Sequence, residues 1–110
     1  MPAVITFKQD HISMIKQGRK VQTRRTWKDE YARKMKPGTI LDVKINRYSG
    51  PVYCQIRLLD LNKERLGDIT EPDALKEGGY TIETYKQAWE EINGAWNPDA
   101  LVYVVTFEVV

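Results

Sequence analysis

Lys36-Pro37-Gly38-Thr39-Ile40-Leu41-Asp42-Val43-Lys44-Ile45, with Tyr48-Ser49-Gly50-Pro51 and Val52–Leu61 behind it, is the stretch whose reading decides the fold. Proline presets φ and glycine accepts φ > 0, so Pro37-Gly38 is a turn with a physical cause. Ile40, Val43 and Ile45 supply apolar positions for a strand over Ile40–Ile45. The turn at Tyr48–Pro51 then sends the chain back along the β-rich run Val52–Leu61, and the two runs form a hairpin.

Toward the N-terminus, Ala3–Phe7 alternates as a strand. Lys8–Gln17 carries Ile12 and Ile15 on one side of a short helix, which Gly18 stops. Lys20–Thr26 is β-branched enough for a strand in which Val21, Thr23 and Arg25 share one face and Lys20, Gln22 and Arg24 the other. Asp29–Lys34 is a helical turn. Toward the C-terminus, Thr70 caps a helix with Pro72 in its first turn and Asp73 at the third position, and Gly78-Gly79 ends it. Thr81 caps a second helix, Ile82–Asn93, with Ile82, Tyr85, Trp89 and Ile92 on one face and Gly94 closing it. Leu101–Val109 is the strongest strand. The order β-α-β-(α)-β-β-α-α-β, without repeat or linker, predicts one α+β domain over residues 1–110 with a curved or barrel-like sheet.

No run approaches the roughly 20 apolar residues of a membrane span. Met1-Pro2-Ala3 opens without a basic head or apolar middle, so the expected location is cytoplasmic. Cys54 and His11 are single, which leaves neither a disulfide framework nor a zinc cage; both are assigned structural roles, and no metal or cofactor is expected. A monomer is assumed. Charge is uneven: residues 1–50 hold twelve Lys/Arg and four Asp/Glu (+8), and residues 51–110 hold five and eleven (−6). The basic excess between Lys16 and Lys36 is suited to phosphates, or else to pairing with the acidic half.

Two clusters can carry chemistry. Gly18-Arg19-Lys20-Val21-Gln22-Thr23-Arg24-Arg25 offers charge-assisted donors beside a glycine, against the competing reading of a solvated edge strand. Glu77-Gly78-Gly79-Tyr80-Thr81 joins a carboxylate to a tight turn and an aromatic able to stack on a base, against the reading of a sharp turn alone. Trp89, Trp96, Tyr103 and Phe107 are placed in the core. The acidic helix Glu83–Glu91 offers a protein-interaction face without distinctive support, and no carboxylate cluster suits magnesium-dependent nuclease chemistry.

Together these clusters, Lys36-Pro37-Gly38 and the closing Val102–Glu108 strand resemble the ASCH domain family over essentially the whole chain. That resemblance implies a PUA-like curved β-barrel with short helices at its side, and a cleft that binds RNA or a nucleoside. The family's usual pattern is G-x-K-x-x-E-x-R, and Thr23 stands where many members have Glu. The N4-acetylcytidine amidohydrolases also have Thr there, with Lys three residues earlier and a Glu in the segment similar to the one holding Glu77. The resemblance to that group therefore implies a metal-independent catalytic set of Lys20, Thr23 and Glu77, although the Gly78-Gly79-Tyr80 turn is not its pattern. For binding, the implied contacts are Arg19, Lys20, Arg24, Arg25, Gly78, Gly79 and Tyr80. Binding is the preferred expectation and hydrolysis the alternative.

Overall fold

The computed structural model describes residues 3–110; Met1 and Pro2, part of the N-terminal reading, lie outside the described residues. Strands β1 (Ala3–Thr6), β2 (Gln22–Arg25), β3 (Ile40–Lys44), β4 (Cys54–Arg65) and β5 (Leu101–Val109) form one sheet in the order β1-β3-β4-β5-β2. Only β1 and β3 run parallel; the other pairs are antiparallel. Helices α1 (Gln9–Lys16), α2 (Asp29–Ala32), α3 (Glu71–Gly78) and α4 (Ile82–Asn93) complete the domain. No helix among the described residues is long and apolar enough to cross a membrane.

The expected hairpin is β3 and β4, with Leu41 opposite Ile56 and Val43 opposite Cys54. β4 runs beyond the predicted Leu61 to Arg65, with a register shift between Leu58 and Asp60. Ile56 and Leu58 are buried before the shift, whereas the polar segment after it follows β5 through backbone pairing. Helix capping follows sequence closely. Thr70 and Asp73 close a reciprocal capping box, Thr81 and Thr84 another, and Gly79 ends α3 in the left-handed conformation at φ 77°.

The sheet is not closed into a barrel, which corrects the barrel expectation. β1 and β2 remain the two edges and share no ladder. The sheet nevertheless curls far enough for one side chain to cross the gap, because Arg25 Nη2 on β2 donates to Thr6 O on β1 at 2.7 Å. Two apolar clusters stabilise this shape. Phe7, Ile15, Leu41, Ile56, Leu58 and Phe107 belong to the larger one, and Leu66, Ala74, Tyr85, Trp89 and Val102 belong to the other, under α3 and α4. Trp89 and Phe107 are core residues as expected, and Trp96 packs half-buried against the second cluster. Tyr103 is not in the core: it lies on the outer sheet face, its hydroxyl donating to Asp29 and its ring beneath Lys63.

Candidate functional site between the sheet edges

The unclosed gap opens into a cavity of about 370 Å³. Phe7, Ile45, Tyr80, Tyr85, Trp89 and Ile92 form its apolar and aromatic walls. Thr6, His11, Lys20, Thr23, Arg25 and Glu77 supply polar groups, with Lys8 and Arg24 also lining it. They come from β1, α1, β2, α3 and the turns between them. Thr23 and Arg25 share one face of β2, as the alternation predicts, and Arg25 Nε donates to Thr23 Oγ1 at 3.1 Å. Lys20 and Arg24 point to the other face, where they meet the C-terminal turn of α3.

There they surround Glu77. Lys20 Nζ donates to Glu77 Oε1 at 3.3 Å, to Glu77 O at 2.6 Å and to Gln22 O at 3.0 Å. Arg24 Nη1 donates to Glu77 Oε2 at 2.9 Å and to Gln22 Oε1 at 2.7 Å, while Nη2 pairs with Asp73 and Glu64. The side chains of Lys20, Arg24 and Glu77 are 2%, 0% and 3% exposed. Unpaired, such charges would be prohibitively costly, so each one holds the others in place. Among the described residues, Arg24 Nε alone is a buried side-chain donor without a partner.

The cations at this end are also desolvated. Burial, more than the opposing pull of Glu77, holds Lys20 below the ordinary lysine range, and burial likewise pulls Arg25 down. The Phe7 ring lies 4.6 Å from the Arg25 guanidinium carbon and 5.6 Å from Lys20 Nζ, so its π-face partly replaces lost water. Arg25 Nη1 has no protein partner among the described residues, which leaves a donor for a ligand. His11 Nε2 lies 2.8 Å from Tyr80 Oη. Burial, and then the Lys20 charge, push His11 down to about 4, so it is neutral at pH 7.

Among the sequence-predicted residues, Lys20, Thr23, Glu77, Arg24, Arg25 and Tyr80 border this one cavity. Arg19, Gly78 and Gly79 do not. Arg19 and Gly78 border a shallow depression beside α1, and Gly79 lines neither hollow. Arg24, expected at a phosphate, instead spends its guanidinium on carboxylates and Gln22. Sequence reasoning missed His11, Phe7, Tyr85 and Trp89 as cavity residues. Trp89 and Tyr85 carried a helical-face signal that reads equally as core, and nothing near His11 marks it.

A family model, the ASCH domain, matches residues 3–110. The chain belongs to the ASCH domain family. ASCH domains are associated in general with RNA binding. Solved structures agree on the fold. An ASCH domain from Lactobacillus crispatus JV V101 superposes with TM-score 0.71 at 18% identity, over 97% of this chain and 78% of that one. A protein from Enterococcus faecalis V583 gives TM-score 0.71 at 21% identity, over 100% and 81%. A protein from Pyrococcus furiosus gives 0.64 at 15% identity, over 100% and 98%. No curated protein matches the chain significantly. Among the described residues of this ASCH domain, no group of three His, Cys, Asp or Glu could hold a metal ion.

Proposed function

We propose that this ASCH domain binds a single nucleobase in the cavity, presented by RNA or as a nucleoside. One observation carries the reading: an aromatic-walled hollow, bordered by four cations and one carboxylate, into which two sequence-distant segments open together. Its volume of about 370 Å³ lies at the small end of ligand sites, near 300–1,000 Å³, and suits one nucleoside. Tyr80, Tyr85 and Trp89 offer flat apolar surface to a base face, and the spare donor of Arg25 suits a base carbonyl or a phosphate oxygen. A duplex keeps its bases stacked, so single-stranded RNA is the better macromolecular ligand. Affinity for labelled single-stranded RNA is expected to fall steeply with salt, by about 0.7 in log–log slope per phosphate contact. A flat salt response, or no binding at low salt, overturns the reading.

The Lys20–Glu77 contact favours a second reading, hydrolysis of N4-acetylcytidine. Burial, which holds Lys20 below the ordinary lysine range, favours passing its proton across the 3.3 Å contact to Glu77, leaving a neutral amine. The amine then accepts the Thr23 proton as Oγ1 adds to the acetyl carbonyl. The Glu77 acid protonates the departing cytidine N4, which restores the ion pair, and water releases acetate from the Thr23 ester. Arg25 Nε, already donating to Thr23 Oγ1, would steady the alkoxide. Against this, all three Lys20 protons are committed away from Thr23, so Lys20 must turn before the reaction begins. That ranks binding first. Release of cytidine by the protein, absent with Thr23→Ala, is the expected sign of catalysis; equal rates for both proteins retire it.

A further inference from the structure

The loop joining β3 to β4 gives the cavity an extension. Ile45 borders the cavity, and Phe7 N donates to Lys44 O at 3.1 Å, so the root of the loop sits beside the cavity wall. Arg47, farther along, is near enough for its charge to act on Arg25. The loop is ordered from within: Asn46 and Ser49 form a bridge, and Tyr48 N donates to Asn46 Oδ1 at 3.0 Å. At its tip Tyr48 is 90% exposed. A large aromatic held out by an organised turn adds nothing to the core, and residues 44–53 carry Lys44 and Arg47 with no acid between them. Lys16 Nζ lies 5.9 Å from the ring centre of Tyr53, at the end of the same segment.

We infer that the ligand is a nucleotide within single-stranded RNA, with one base in the cavity and the adjoining nucleotide on the β3–β4 loop, its base stacked on Tyr48 and its phosphate against Arg47. This rests on the nucleobase reading of the cavity and narrows it from any nucleoside to a strand. The chemistry is that of single-strand binding in general: a cation meets the backbone, and an exposed aromatic meets a base of any sequence. A free nucleoside fills the cavity and leaves Tyr48 and Arg47 unused.

The test compares the four nucleoside 5′-monophosphates with RNA homopolymers of two, four and eight nucleotides. The proteins are wild type, Tyr48→Ala, Tyr48→Phe and Arg47→Ala. With the preferred base, the tetranucleotide is expected to bind about tenfold or more tighter than the monophosphate, the size of one stacking contact. Tyr48→Ala removes that gain and leaves monophosphate affinity unchanged, Tyr48→Phe retains it, and Arg47→Ala lowers the salt slope by about 0.7. If affinity does not rise with length, or if Tyr48→Ala binds oligomers like wild type, the loop path is overturned while the cavity reading stands. If wild type binds no monophosphate at any concentration tested, the cavity reading itself fails, and the strand path fails with it. Octaglutamate is the remaining control. Competition equal to that of an RNA octamer means that the surface reads charge alone, which also overturns the stacking path.

Discussion

Glu77→Ala is expected to lower unfolding free energy by about 3–5 kcal/mol, measured by urea denaturation, because it strips the shared carboxylate from two buried cations. Lys20 then keeps only carbonyl acceptors, and Arg24 keeps Gln22 and the longer contacts to Asp73 and Glu64. Against a total stability of roughly 5–15 kcal/mol for a domain, such a loss is close to unfolding. Glu77→Gln retains an oxygen acceptor but no charge, and belongs between the two. The double variant Lys20→Met/Glu77→Met should lose less than Glu77→Ala, since removing both partners leaves fewer unmatched charges. A Glu77→Ala loss under about 1 kcal/mol would falsify the claim that this carboxylate holds the cluster together, since ordinary exposed pairs contribute that little.

Ala88→Trp is expected to lose about a hundredfold in affinity for RNA and nucleoside alike, roughly 2.7 kcal/mol. Ala88 lies on α4 at the cavity wall and takes part in none of the hydrogen bonds or ion pairs that hold the cationic cluster. An indole there occupies space that a base would need, while the charges stay in place. The cost to the helix itself is well under 1 kcal/mol, so the urea midpoint serves as the control for folding. Wild-type affinity in a folded Ala88→Trp protein would place the ligand somewhere other than this cavity.

The parts of the fold legible from sequence are those fixed by neighbours a few residues apart. Thr70 with Asp73 and Thr81 with Thr84 are local pairs, and the helices they open begin where the hydroxyls predict. Leu101–Val109 matches its predicted bounds because both local propensity and burial favour it. The end of β4, Asn62–Arg65, lies beyond the predicted strand because Asn62, Lys63, Glu64 and Arg65 give no apolar alternation; its pairing with β5 is formed across the chain. Sheet closure was overread for a similar reason, since no local feature says whether β1 and β2 will pair.

The site divides the same way. The β2 alternation correctly separates Thr23 and Arg25 from Lys20 and Arg24. What alternation cannot give is the partner. The carboxylates that neutralise Arg24, on Glu64, Asp73 and Glu77, all lie far along the chain, the nearest 40 and the farthest 53 positions away, so a residue that reads as a phosphate contact is a buried structural cation. The basic half and the acidic half do pair, as the competing reading of the charge asymmetry held, but only in part. Arg25 and Lys8 border the cavity and enter no ion pair among the described residues.

β5 occupies the interior of the sheet, between β4 and β2, yet it follows every other strand in the chain. A ribosome therefore delivers the keystone last. Until Val102–Phe107 emerges, β2 has no ladder to join, and its arginines cannot be drawn inside. Nascent chains shorter than this should remain open and readily cut by proteases, with the cavity between the sheet edges forming only when synthesis of this segment is finished.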